Sequence, residues 1–142
     1  MTASPMETLP LRLQPKSDLR RTLEATLGSR QQGAAFVVAG IGSLSQARLR
    51  LAGKEQPETL DGDLEILTLA GSISTNGAHL HMSVADEKGH VIGGHVGYDC
   101  VVRTTAEVLL ILLPEWSFAR ERDSMTGFAE LVVSEGCRGQ QK

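Results

Sequence analysis

Cysteine is scarce in this chain of 142 residues. The two that occur, Cys100 and Cys137, form no C-x-x-C pair and share no spacing typical of metal ligands. This scarcity argues against a metal site built from thiolates. We interpret both residues as unpaired thiols in a reducing compartment.

Long apolar segments are also lacking. Residues 1–13 contain no apolar run long enough for a signal peptide. The longest apolar run, residues 108–113, is far too short to cross a membrane. We therefore expect a cytoplasmic protein with no membrane partner.

An excess of positive charge and the nucleotide-binding motifs are absent as well. The net charge of −3 is unfavourable for a protein whose main task is to hold a polyphosphate, although residues 12–30 have a local basic bias. The chain has no Gly-rich phosphate loop, and no motif makes Ser43 or Ser72 a nucleophile. No catalytic motif is recognised, so a function other than catalysis is favoured.

Histidine, in contrast, is concentrated in residues 78–97, which the pattern predicts to be a β-hairpin. His79 and His81 are two residues apart, so on a strand both side chains point to the same face. Apolar residues occupy the other face of that strand: Ala78, Leu80, Met82 and Val84.

The register of this hairpin decides whether His95 joins the other two histidines. A three-residue loop at residues 87–89, with its glycine in the left-handed conformation, is a common hairpin form. That loop pairs Asp86 with His90 and places His81 directly opposite His95.

Other loop lengths give a different result. A two- or four-residue loop would turn His95 to the far face, unless a bulge at Gly93-Gly94 resets the register. With the three-residue loop, Gly93 and Gly97 are expected to leave open space around the rings.

Three neutral imidazoles with an open fourth position are a known zinc arrangement. We therefore predict a site for zinc or another divalent metal at His79, His81 and His95, near a subunit boundary if the chain is oligomeric. The alternative is a polar sheet face, either solvated or covered by another subunit. We expect His90, at the turn, to be an exposed loop residue.

Two carboxylates are candidates for completing the metal site, although spacing places neither Glu65 nor Glu107. Glu107 could also act as a general base if it faces the histidines. The favoured interpretation of Glu107 is an ion pair across the sheet with Arg103 or Arg48.

A second polar group flanks the predicted turn at residues 126–127. Arg120, Arg122 and Asp123 could form an anion site there, but a turn held by an ion pair is the favoured interpretation. Trp116 and Phe118, just before this group, are expected to anchor the core or an interface.

The remaining pattern predicts an α+β domain, a mostly antiparallel sheet with one principal helix packed on it. The helix is predicted over residues 18–27, with Ser17 as its cap, a stripe of leucines every fourth residue and Gly28 at its end. Strands are predicted at residues 9–13, 34–39, 47–51, 64–69, 100–113 and 128–133.

The strand at residues 108–113 is apolar on both faces. Such a segment is covered twice, and we expect the helix on one side and another subunit on the other. We treat residues 1–142 as one domain, with a core of about 9–134 and a flexible tail at 135–142.

Six segments in this order resemble the PPC (plants and prokaryotes conserved) domain, a domain of unknown function, and they span about residues 9–134. They are AGIGSL at 39–44, LEILTLAGS at 64–72, HLHMSV at 79–84, GGHV at 93–96, TTAEV at 104–108 and DSMTGF at 123–128. The resemblance implies an α+β fold, a homotrimer and a DNA-binding or transcription-associated module.

The chain resembles the bare prokaryotic form of that domain, because it contains no Arg-Gly-Arg-Pro core of an AT-hook. The plant partner-binding motif is altered in residues 62–67, where Asp63 replaces arginine and Leu64 replaces phenylalanine. Two alternative functions remain for the histidine cluster: a metal-dependent hydrolase or lyase, and a sensor that binds a small ligand between subunits.

Overall fold

The computed structural model describes residues 6–136, which form one helix and eight strands. The order is β1 (Glu7–Leu13), α1 (Leu19–Ser29), β2 (Ala34–Arg50), β3 (Glu58–Ser74), β4 (Gly77–Ala85), β5 (Val91–Val96), β6 (Val101–Leu112), β7 (Trp116–Arg122) and β8 (Ala129–Glu135).

Six strands form one antiparallel sheet in the order β1-β6-β2-β3-β4-β5. The C-terminal end of β2 pairs a second time, with β5, through Leu49 opposite Val96 and Arg50 opposite His95. Strands β2 to β5 therefore close on themselves, while β6 and β1 extend the sheet on the other side of β2. The predicted α+β architecture, mostly antiparallel with one helix, is confirmed.

Helix α1 contributes its leucine stripe to the core, as predicted. Leu19, Leu23 and Leu27 are at most 2% exposed, and burial of each such side chain contributes roughly 1.5–3 kcal/mol. The helix in residues 6–136 is neither long nor apolar enough to span a membrane.

Both predicted ends of the helix are wrong by one or two residues. Asp18 is the N-cap, accepting a hydrogen bond from Arg21 N at 2.9 Å. Ser17 cannot take that role because its backbone carbonyl is paired with the N–H of Val102 at 2.9 Å. At the other end, α1 continues through Gly28, and Arg30 is the C-cap.

Two strands are longer than predicted. Residues 34–39 and 47–51 belong almost entirely to the single strand β2, and β3 continues past Gly71 to Ser74. The glycines within β2 do not end it. A Cβ atom at Gly40 would lie 2.8 Å from Leu69 Cδ2, so glycine at this position allows β2 and the side chain of Leu69 to approach closely.

Strand β7 was not predicted. It pairs with β8 in a second, two-stranded sheet. Phe118 on β7 is 3% exposed and its ring lies edge-on to Phe36 at 5.6 Å, so it anchors the core as expected, whereas Trp116 is 43% exposed. Asn76 binds the β7–β8 hairpin to the main sheet. Its side chain donates to Arg120 O at 2.9 Å and accepts from Arg120 N at 2.8 Å.

Apolar side chains are exposed on the central strands. Ile41 on β2, Leu67 on β3 and Leu109 on β6 are 56%, 46% and 36% exposed. Ile41 and Leu109 line a groove of about 740 Å³ together with Pro10 and Leu11. We call this groove the apolar groove. Strand β6 is thus buried on one face at Val108, Leu110 and Leu112, whereas on its other face Leu109 stays exposed within residues 6–136.

Candidate metal centre

The loop of the histidine hairpin has the predicted form. Asp86 N donates to His90 O at 3.0 Å, and Gly89 has a φ of 80°. The Asp86 carboxylate accepts hydrogen bonds from the backbone N–H groups of Lys88 and His90, both at 2.9 Å. These bonds hold the pKa of Asp86 below its ordinary value. They also stabilise the three-residue loop, whose length sets the register of the hairpin.

That register brings the three histidines together. His81 lies directly opposite His95, and Ser83 lies opposite Gly93. The pairing is continuous from residue 81 to residue 85, so no bulge at Gly93-Gly94 is required. The face of β4 opposite the histidines is buried as predicted, at Ala78, Leu80, Met82 and Val84.

The three imidazoles form one compact cluster, which we call the histidine cluster. The ring centre of His79 lies 4.8 Å from that of His81 and 4.9 Å from that of His95, and the third separation is 5.8 Å. One nitrogen from each ring lies within 4.8 Å of the others. In a tetrahedral zinc site the ligand nitrogens are about 3.3 Å apart, so one bound ion would draw these rings closer together. Three imidazoles are a donor set that fits zinc.

The closure of β2 onto β5 shapes the surroundings of the cluster. Arg50 is the residue directly opposite His95. A Cβ atom at Gly94 would lie 2.7 Å from Arg50 O, so the two strands approach this closely only because residue 94 is glycine. The same closure brings a guanidinium group to the edge of the cluster.

Two adjoining cavities are open to the cluster. The smaller, about 300 Å³, is lined by all three histidines with Arg50 and Gly93 among others. Gly97, which we expected to contribute open space, does not line either cavity.

The larger cavity, about 890 Å³, is lined by His79 and His95 and extends to the β7–β8 hairpin. We call this larger space the cationic cavity. Its lining includes Arg50, Lys54 and Arg120.

Burial and positive charge keep two of the imidazoles unprotonated. The pKa of His95 is lowered from 6.5 to about 4, first by burial and then by the charges of His79 and Arg50. Burial, followed by the charge of Arg120, also lowers the pKa of His79. Both rings are therefore neutral near pH 7, which is the state that binds a metal.

Sequence reasoning missed the two arginines of this site. The sequence pattern gives Arg50 no role and predicts Arg120 at the turn near residues 126–127. In the structure that turn is held by Asp123, whose carboxylate accepts from Met125 N at 2.7 Å and Thr126 N at 3.1 Å, rather than by the expected ion pair.

The two candidate carboxylates do not reach the histidine cluster. Glu65 lies opposite Ala85, four residues along β4 from His81, a separation of about 13 Å. Glu107 is on β6, which is separated from β4 by β2 and β3, and it lines the apolar groove.

The expected ion pairs of Glu107 are also wrong. Arg103 pairs with Asp63 at 3.2 Å, and Arg48 pairs with Asp99 at 3.5 Å. In the pairing of β6 with its two neighbours, Glu107 lies opposite Arg12 of β1 and Ile41 of β2. Because two strands separate Glu107 from the histidine cluster, it can act neither as a general base there nor as a metal ligand.

The other histidine and the described cysteine lie apart from the cluster. His90 is an exposed loop residue, as expected, with its side chain 78% exposed and 3.3 Å from Asp86. Cys100 is a free, buried thiol whose pKa is raised to about 11 by burial, so it is unreactive. Cys137 and residues 137–142 of the predicted tail lie outside the described residues.

The family assignment follows from the sequence match as well as from this fold. Residues 1–114 match the model of the Plants and Prokaryotes Conserved domain. The chain belongs to this family. The resemblance inferred from the short segments is therefore confirmed.

A curated relative shows the same domain within a longer protein. The "Bifunctional protein GlmU" of Synechococcus sp. (strain JA-2-3B'a(2-13)) is 44% identical over 133 residues. The match covers 94% of this chain but 21% of the relative, so the chain spans about a fifth of the relative's length.

Solved structures share the fold over nearly the whole chain. A hypothetical protein from Salmonella cholerae-suis has a TM-score of 0.89 at 36% identity, covering 94% of this chain and 97% of its own. A metal-containing protein from Archaeoglobus fulgidus has a TM-score of 0.78 at 26% identity, with 92% and 96% covered. A protein from Ralstonia eutropha, whose name proposes DNA binding, has a TM-score of 0.75 at 22% identity, with 88% and 89% covered.

Proposed function

We propose that this domain binds a divalent transition metal, zinc in the first place, through His79, His81 and His95. The observation that carries the proposal is the convergence of three imidazole nitrogens to within 4.8 Å of one another beside an open cavity. The metal-containing relative from Archaeoglobus fulgidus supports it. A metal held by three neutral histidines with an open position supplies Lewis-acid chemistry.

The chain itself contributes position and protonation state. The antiparallel register fixes His81 opposite His95, and the regular alternation of β4 puts His79 on the same face. Burial and the neighbouring arginines keep His79 and His95 neutral at physiological pH. Metal binding therefore requires little proton release from these two residues.

We further propose that the chain forms a homotrimer through the apolar groove. Two apolar side chains of the central strands, Ile41 and Leu109, remain exposed there, and contiguous exposed apolar surface is typical of protein interfaces. The family resemblance supports three as the number of subunits.

Association with DNA is the second candidate function. The name of the Ralstonia eutropha relative favours it, whereas the net charge of −3 does not. An A·T-rich duplex titrated at low salt tests it. A mobility shift that weakens steeply with added salt supports DNA binding, and the lack of any shift contradicts it.

Elemental analysis tests the metal proposal. The protein is purified without an affinity tag, and its metal content is compared between the wild type, His81→Ala and the matched control His90→Ala. We expect about one equivalent of metal per chain in the wild type and control. The His81→Ala variant is expected to hold less than about a tenth, because two imidazoles are too few for a stable site.

The proposal is wrong if the wild type holds no metal after incubation with zinc. It is also wrong if His81→Ala and His90→Ala retain equal amounts, because the ion would then be held elsewhere. Circular dichroism of both variants shows whether the fold is intact.

A further inference from the structure

The cationic cavity carries more positive charge than its ion pairs neutralise. Arg50, Lys54 and Arg120 line it, against the two carboxylates of Glu55 and Glu130. Arg120 is 4.0 Å from Glu130, at the limit of an ion pair. Within residues 6–136, no carboxylate lies within 4.0 Å of Arg50.

Both guanidinium groups are oriented by the backbone and keep free donors. Arg50 donates to Lys54 O at 3.2 Å, and Arg120 donates to Ala129 O at 2.7 Å. A guanidinium has five N–H donors in a planar fork, so each group retains donors for a further acceptor. A carboxylate or phosphate matches that fork in geometry and charge.

A metal bound at the histidine cluster would add to this positive field. Three histidines are neutral ligands, so a divalent ion bound by them keeps its full charge of about +2. His79 and His95 line the cationic cavity as well as the smaller one. An anion in this cavity would therefore offset the charge of the metal and of the arginines together.

The size and the remaining wall of the cavity fit a small organic molecule. Its volume of about 890 Å³ lies within the range of small-ligand pockets, about 300–1,000 Å³. Phe128, which lines the cavity, is 72% exposed. This ring adds an apolar surface to the lining of the cavity.

We propose that the cationic cavity binds a small organic oxyanion, a carboxylate or a phosphate ester, through Arg50 and Arg120 beside the histidine cluster. The inference rests on the proposed metal function and names the class of ligand that this site accepts. It favours the sensor or metal-dependent enzyme interpretation of the cluster over a purely structural ion.

Spectroscopy of the cobalt-loaded protein tests this inference. Cobalt uptake is measured first, and the visible absorption of the bound ion is then followed during titration with benzoate, inorganic phosphate or benzamide. We expect saturable spectral changes with benzoate and phosphate and none with the neutral benzamide. The ratio of the two anion affinities distinguishes a carboxylate ligand from a phosphate ester.

Arginine variants locate the binding groups. Arg50→Gln and Arg120→Gln are expected to raise the Kd for the anion at least about tenfold, the loss for one charge-assisted hydrogen bond. Arg50→Lys should retain part of the affinity. The matched control Arg122→Gln removes an exposed arginine of β7 outside the cavity and should leave the Kd unchanged. If Arg120→Gln does not fold, the Arg50 variants alone decide.

Two failures have different meanings. Normal cobalt binding without a response to either anion, or equal responses to benzoate and benzamide, overturns the oxyanion proposal and leaves the metal proposal intact. A chain that takes up no cobalt overturns both. Equal affinities in Arg50→Gln and Arg122→Gln would place the anion outside this cavity.

Discussion

Arg50 and His95 face each other where the end of β2 pairs with β5. This pairing closes four strands on themselves and brings a cationic side chain to the edge of the histidine cluster. Because Gly94 is adjacent to His95 and its Cβ position lies 2.7 Å from Arg50 O, the closure depends on glycine at residue 94.

The first prediction concerns that close approach. Gly94→Ala should lower the free energy of unfolding by about 1–3 kcal/mol, because the added methyl group forces β2 and β5 apart. Gly28→Ala is the matched control, since a Cβ atom at residue 28 meets nothing within 4 Å. It should raise stability by roughly 0.5–1 kcal/mol through helix propensity. Urea unfolding measures both, and equal effects would contradict the role of the closure.

The second prediction concerns the hairpin loop. Gly89→Ala should cost about 1 kcal/mol, because the φ of 80° at this residue is unfavourable for a side chain with a Cβ atom. Gly89→Asn should cost less, since asparagine tolerates the left-handed region. We expect zinc affinity to fall in the same order, because the loop sets the position of His95. Zinc affinities of the two variants that differ in the opposite order would show that the register does not depend on this loop.

The third prediction concerns the pH dependence of the metal-free protein. The pKa of His95 is about 4 in the folded state and 6.5 ordinarily. The unfolded chain therefore binds a proton at this residue between these values and the folded chain does not. Stability should fall as the pH decreases from 6.5 towards 4, and it should be fully present above 6.5.

Urea unfolding at pH 7 and pH 5 in the presence of a chelator measures this dependence. His95→Gln should lose less stability than the wild type over the interval, because its side chain does not titrate. His90→Gln, at the exposed loop, should behave as the wild type does. Parallel losses in wild type and His95→Gln would assign the pH dependence to other groups.

The fourth prediction concerns assembly. Ile41→Asp places a charge in the apolar groove and should reduce the mass in solution from three chains to one chain of 15.2 kDa. Val91→Asp is the matched control, because Val91 is similarly exposed, at 60%, but lies on β5 outside the groove. Light scattering after size-exclusion chromatography measures the mass. A wild type that is already monomeric contradicts the trimer.

The features that the sequence predicted correctly are local ones. The three-residue loop between Asp86 and His90 is a common hairpin form, and it places His81 opposite His95. Strand alternation puts His79 and His81 on the same face. The stripe of leucines in α1 likewise follows from helix geometry alone. In each case the residues that determine the structure are within a few positions of one another.

The features that were missed depend on contacts between distant segments. No local pattern places Arg50 beside His95, since this requires β2 to pair with β3, β6 and β5 together. Arg120 reaches the cavity because β7 is bound to distant segments, through Asn76 at the backbone of Arg120 and through Thr75 at Phe118 O. Strand β7 had a weak signal in the alternation of Trp116 and Phe118 with smaller residues, which the charged residues after them obscured.

The histidine hairpin also determines which part of the molecule a bound ion would hold together. All three imidazoles are on β4 and β5, and β5 has six residues, with a second pairing to β2 at two positions. In the absence of an ion, we expect this short strand to detach from its neighbours more often than the strands around the leucine core. A bound ion would tie β5 to β4, so its strongest effect should be slower amide hydrogen exchange in β5, with little change in α1 or β6.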